Sequence, residues 1–108
     1  MSEKSIQKAI IEYLIYLKNQ GKLFFFRSGA GAIRTETGGY FKTGAPGVPD
    51  ICVIANGKYI GLEIKTAKGH LTPIQELVHH EIELAGGLCV VVRSVDDVRS
   101  LFKDMDII

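Results

Sequence analysis

The sequence predicts an α/β domain, a mixed central β-sheet flanked by helices in the order αβββαβα. Three observations predict it: an apolar repeat of helical period near the start, an Asn-Gly turn between two apolar runs in the middle, and a complete helix-capping signal at Thr72. Ile6, Ala9, Ile10, Tyr13, Leu14 and Leu17 recur at helical spacing, so about Ser2 to Asn19 reads as an amphipathic helix. Ser2 or Ser5 caps its start and Gly21 stops it. Leu23-Phe24-Phe25-Phe26-Arg27 is β-prone and short enough for a buried strand. From Ser28 to Gly47 the chain carries six glycines and few apolar residues, and reads as a long loop or a ragged hairpin.

Ile51–Ala55 and Lys58–Leu62 then flank Asn56-Gly57, and both turn residues tolerate positive φ, which favours a two-residue hairpin loop. Further on, Thr72 suits an N-cap, Pro73 the first helical position, and Gln75 completes a capping box. That helix runs to about Ala85, with Gly86-Gly87 as its stop. Leu88–Arg93 is another strand, and Ser94 caps a short last helix with Asp96 and Asp97 in its first turn, where the helix dipole favours them.

Residues 1–108 fit one domain, with 46% hydrophobic and 23% charged residues as in an ordinary soluble protein. The apolar runs fall far short of the ~20 residues a membrane span needs, so no membrane partner is expected. Met1-Ser2-Glu3-Lys4-Ser5 lacks the apolar segment of a signal peptide, and a cytoplasmic location is the default expectation. Cys52 and Cys89 lie in apolar strand-like runs and read as buried thiols. The formal charge of +1 excludes a protein that is basic throughout, so any polyanion face is a local patch. Arg27, Arg34, Lys42 and Lys68, with His70, cluster about the central loops as candidate contacts to such a ligand.

The Asn-Gly turn carries the chemistry. With Ala55 facing Lys58, the register sets Asp50 opposite Glu63 on one face of two antiparallel strands. Opposed residues have Cβ atoms roughly 4.5–5.5 Å apart, and like charges there destabilise a sheet. Lys65, two residues beyond Glu63, leaves the same face. Two carboxylates beside one ammonium suit a hard divalent cation such as Mg²⁺, which takes one or two carboxylates together with water and phosphate. The competing reading is a solvent-facing strand edge with Lys65 bridging to Glu63. Glu3 and Gln7 share a face of the first helix, either reaching toward the sheet or simply solvated. Gln75 already has a capping role. His79 and His80 lie mid-helix, away from other ligand types, and read as surface or packing residues.

With Pro49-Asp50 followed by Glu63-Ile64-Lys65, the chain resembles the PD-(D/E)XK nuclease superfamily. Gly44-Ala45-Pro46-Gly47-Val48-Pro49-Asp50, Gly69-His70-Leu71-Thr72-Pro73-Ile74-Gln75, Ala85-Gly86-Gly87 and Val91-Val92-Arg93-Ser94-Val95-Asp96-Asp97 extend the likeness to the VRR-NUC family, the virus-type replication-repair nuclease domains. Glu3-Lys4-Ser5-Ile6-Gln7 is similar to that family's first-helix motif. The resemblance implies a restriction-endonuclease-like nuclease core and metal-dependent hydrolysis of DNA phosphodiesters. It implies that Asp50 and Glu63 are metal ligands, with the Ile64 carbonyl as a third and Glu3 as a carboxylate able to complete the site. It also implies that Lys65 is the catalytic lysine, with Gln7 and Gln75 as glutamines near the site.

The expected activity is a Mg²⁺- or Mn²⁺-dependent endodeoxyribonuclease, structure-selective on branched DNA in the manner of a Holliday-junction resolvase. Replication, repair or recombination is the expected process, as a homodimer in a bacterial or virus-infected cell. The alternatives are a nicking, flap or restriction-type nuclease, or a non-catalytic nucleic-acid-binding module that retains the fold.

Overall fold

The computed structural model describes residues 1–29, 31–34, 36–43 and 45–108, and side chains except at 31–34 and 40–43. The elements are α1 (Glu3–Asn19), β1 (Phe24–Arg27), β2 (Gly31–Arg34), β3 (Tyr40–Thr43), β4 (Ile51–Ala55), β5 (Lys58–Ile64), α2 (Pro73–Leu84), β6 (Leu88–Val92) and α3 (Val95–Asp104). The order αβββαβα is present, with the small hairpin β2–β3 added inside the glycine-rich stretch. Of the two readings of that stretch, the ragged hairpin is the one found. No helix among the described residues is long and apolar enough to cross a membrane.

Four strands form the main sheet in the order β1-β4-β5-β6. β1–β4 and β4–β5 are antiparallel, while β5–β6 is parallel across the α2 crossover, so the sheet is mixed. The β4–β5 turn is the Asn-Gly type: Asn56 and Gly57 have φ of 52° and 73°, and Ala55 pairs with Lys58. The capping signals hold as well. Ser2 Oγ accepts the Ser5 N–H, Thr72 and Gln75 close a full capping box, and Ser94 Oγ accepts the Asp97 N–H.

Strand alternation divides the side chains between two faces. Ile51, Val53 and Ala55 of β4, with Ile60, Leu62 and Ile64 of β5, turn to one side. There they form the core with Ile6, Ile10, Leu14 and Leu17 of α1 and Val98 and Phe102 of α3. Each of the Val, Leu, Ile and Phe side chains taken from water contributes about 1.5–3 kcal/mol before the entropy of ordering it. Glu63, between Leu62 and Ile64, therefore points to the opposite face, the one α2 covers.

Two close approaches lock α2 and the Asp50 segment to that face. Gly61 lies under Pro49, where an added Cβ would come within 2.5 Å of the proline ring. Gly47 has φ +82°, and a Cβ there would lie 2.7 Å from the Ile74 carbonyl oxygen on α2. The loop before Asp50 is thus wedged between β5 and the start of α2.

Candidate active site

The two carboxylates meet where β4 begins and β5 ends. The ladder closes on Ile51 opposite Leu62, so the same register continued by one residue sets Asp50 against Glu63. Asp50 is half-buried and tied down through its backbone and one side-chain oxygen. Its Oδ2 accepts the Ile64 N–H at 2.8 Å. Its carbonyl accepts the N–H groups of Ser28 and Gly29 at 2.9 and 3.2 Å, which docks the end of β1 onto the start of β4. Gly29 backs onto the carboxylate: a Cβ there would sit 3.5 Å from Asp50 Oδ1.

Glu63 is only 2% exposed, and its Oε1 lies 3.1 Å from Nε2 of His79 on α2. Burial first, then a hydrogen bond shared with Asp50 and the Asp50 charge, push its carboxyl up to about 8; Lys65 opposes the rise and Glu3 adds to it. Burial also holds the His79 imidazole below its ordinary pKa. A buried carboxyl forced against a second carboxylate requires either a proton or a cation. The donors on offer are hard oxygens, the kind Mg²⁺ and Mn²⁺ take, so the residues present fit a divalent ion. Among the described residues no group of three or more His, Cys, Asp and Glu side chains is arranged for a metal. An ion held here would rest on the carboxylate pair and complete its shell with main-chain carbonyl, water or phosphate oxygens.

Lys65 follows directly on β5, its N–H donating to the Val92 carbonyl at 3.2 Å, and is 7% exposed. Its stem runs beneath Gly69, where an added Cβ would lie 3.3 Å from the Lys65 Cβ. The turn between them is held by Arg93, just past β6. Its Nη1 donates to the Thr66 carbonyl and, at 2.9 Å, to the Gly69 carbonyl.

The remaining expected residues divide. Glu3 is exposed in the first turn of α1, near enough for its charge to act on Glu63. Gln7 is half-buried and lines a groove of about 530 Å³ with the N-cap Ser2, with Lys4, Lys8 and Glu12 of α1, and with Arg27 at the end of β1. Two residues on from Arg27 the chain reaches Gly29 and the Asp50 carboxylate. Gln75 Oε1 is engaged by the Thr72 N–H at 3.0 Å, so this oxygen serves the helix start. Lys68 and His70 are exposed in the loop after Lys65. The side chains of Arg34 and Lys42 lie outside the described residues.

His80 is a surface residue and His79 a buried one, 5% exposed, as the surface-or-packing reading allows. What is corrected is that His79 lies away from other ligand types, because it directly contacts Glu63. The signal was present in the spacing: His79 is one helical turn beyond Gln75 on the same face. Cys52 and Cys89 are free thiols, and burial raises both, Cys89 to about 11, so neither is a ready nucleophile.

No protein-family model matches the chain, and no curated protein matches it. Among solved structures, the chain is similar to one named VRR_NUC domain, with a TM-score of 0.64 and 22% sequence identity, over 95% of this chain and 97% of that one. The mixed sheet and the helices on its two faces thus share the α/β fold of that VRR_NUC domain structure.

Proposed function

We propose that this chain is a Mg²⁺- or Mn²⁺-dependent DNA endonuclease, selective for branched DNA and acting as a homodimer. The observation that carries the reading is the half-buried Asp50 set against the buried Glu63, whose carboxyl is pushed up to about 8, with Lys65 beside it. The likeness to a structure named VRR_NUC domain supports a nuclease.

Asp50 and Glu63 would hold the ion, with the Ile64 carbonyl as a further ligand and Glu3 as an outer carboxylate. The chemistry such an ion supplies when bound is polarisation of a phosphoryl oxygen and a lowered pKa for an adjacent water. Asp50, tied to Ile64 through Oδ2, keeps its other oxygen for the site. Lys65, its stem packed under Gly69, presents a compact positive charge to the oxygens that gain charge as the phosphodiester is cleaved. Gln7, in the groove with Arg27, would orient substrate from α1. Arg27, Lys68 and His70, joined by Lys4 and Lys8 of the groove, supply phosphate contacts that position the strand without reading its sequence. Arg34 and Lys42 are proposed for the same role.

Selectivity for a junction rests on symmetry. One site of this size cuts one strand, and paired cuts in two strands need two sites related by a two-fold axis. The test is incubation of the protein with four-way junction, flap, duplex and single-stranded DNA in Mg²⁺, Mn²⁺ or EDTA, beside Asp50→Asn and Lys65→Ala. Cleavage confined to metal and lost in both variants is expected, with paired cuts in the junction and a dimer by light scattering. Cleavage that survives EDTA would overturn the metal mechanism. Binding without cleavage in any metal would favour a non-catalytic module.

A further inference from the structure

We infer that His79 is the positioning residue for Glu63: by donating from Nε2 to Oε1 it fixes the buried carboxylate in the rotamer that offers its other oxygen to a divalent cation. The inference rests on the metal-site reading above.

The two carboxylates are supported alike. Asp50 has one oxygen anchored, Oδ2, by the Ile64 N–H at 2.8 Å. Glu63 has one oxygen anchored, Oε1, by His79 at 3.1 Å. Each retains one oxygen not used by its anchor, and the β4–β5 register continued by one residue sets the two side chains opposite each other. A glutamate has three side-chain torsions, and without a fixed partner it spreads over several rotamers. Outer hydrogen bonds that orient a ligand typically matter by about 10- to 100-fold in metal affinity.

The donor is itself rigidly mounted. His79 lies in the middle of α2, whose start is set by the Thr72–Gln75 capping box and by Pro73. The same helix is wedged against the Asp50 loop, since a side chain at Gly47 would strike the Ile74 carbonyl and Val78. One helix therefore references both carboxylates, Asp50 through the loop packed beneath it and Glu63 through His79. An apolar side chain would fill this space at no polar cost, whereas the buried imidazole needs a hydrogen-bond partner and has Glu63 as one.

The experiment is calorimetric titration of Mn²⁺ into the full chain without DNA, at one pH, for the parent, His79→Phe, His79→Gln and Asp50→Asn, with thermal melts of each. His79→Phe retains the ring and removes the donor, while His79→Gln restores an N–H near the same place. The expected result is that His79→Phe melts no earlier than the parent yet binds Mn²⁺ about 10- to 100-fold more weakly, and that His79→Gln recovers most of the loss. Equal affinity in His79→Phe and parent would overturn the inference. So would equal weakening in His79→Phe and His79→Gln, which would point to packing alone. Absence of binding in the parent would remove the metal site itself, and the role of His79 with it, a result distinct from either. If His79→Phe does not fold, His79→Met replaces it and is read in the same way.

Discussion

Asp50 Oδ2 accepts the main-chain N–H of Ile64 at 2.8 Å, so the carboxylate that opens β4 is bonded to the strand that carries Glu63. This contact separates the structural from the chemical role of Asp50. Asparagine can still accept the bond through its amide oxygen, while alanine leaves the Ile64 N–H without its partner. Asp50→Ala should lose about 1–3 kcal/mol of stability, and Asp50→Asn should remain near the parent or above it, because it also removes the charge facing Glu63. Both should lack nuclease activity. Urea unfolding and a cleavage assay on the same preparations check the split.

Glu63 gives stability a characteristic pH dependence. Its carboxyl sits at 4.5 in the unfolded chain and about 8 in the folded one, so between these values the folded state binds the extra proton. Stability from this group is therefore full below about 4.5, falls as pH rises toward 8, and levels off above. Thermal melts in EDTA from pH 5 to 9 should show that decline in the parent and a flatter profile in Glu63→Gln. Saturating Mg²⁺ should oppose the decline, because an ion that binds only the folded state stabilises it by mass action. A parent profile as flat as that of Glu63→Gln would contradict the buried-pair electrostatics.

Arg93 acts on the turn that covers Lys65. Its Nη1 reaches the Thr66 and Gly69 carbonyls together, and Gly69 rests on the Lys65 stem. Arg93→Ala should cost about 1–3 kcal/mol and lower the cleavage rate beyond what the lost stability explains. Arg93→Lys should restore part of the loss, since both bonds leave the single Nη1 and an ammonium also donates more than once, but on a shorter side chain. Rates measured well below each variant's melting temperature distinguish a loosened Lys65 from simple unfolding.

The groove between the start of α1 and the end of β1 makes a prediction about salt. Lys4, Lys8 and Arg27 line it, and each phosphate contact on duplex DNA contributes about 0.9 to the slope of log affinity against log salt. In an Asp50→Asn background, expected to bind without cutting, replacing the three by alanine should weaken DNA binding and reduce that slope by about 2–3. An unchanged slope, measured by fluorescence anisotropy, would move the DNA path elsewhere.

Much of this architecture was legible locally, and what was not depended on distance along the chain. Ser2, Thr72 and Ser94 announced helix starts because capping is a matter of three neighbouring residues, and Asn56-Gly57 announced both the hairpin and its register. The register in turn brought Asp50 and Glu63 together before any packing was known. The hairpin β2–β3 was ambiguous, since glycines leave the backbone free to loop or pair and no apolar alternation settles the choice. His79 was missed for a different reason. Its partner is sixteen residues away, and only the docking of α2 on the Glu63 face converts a mid-helix histidine into a contact of the site. Arg93 was likewise silent, because carbonyl acceptors at Thr66 and Gly69 leave no mark on residue type.

The central claim is that Asp50 and Glu63 share a divalent cation. An anomalous-difference map from crystals grown in Mn²⁺ tests it most directly. The account predicts a peak bonded to oxygens of both Asp50 and Glu63 in the parent and no peak there in Asp50→Asn. A Mn²⁺-saturated crystal with no density between the two carboxylates, or with the ion bound elsewhere, would contradict it.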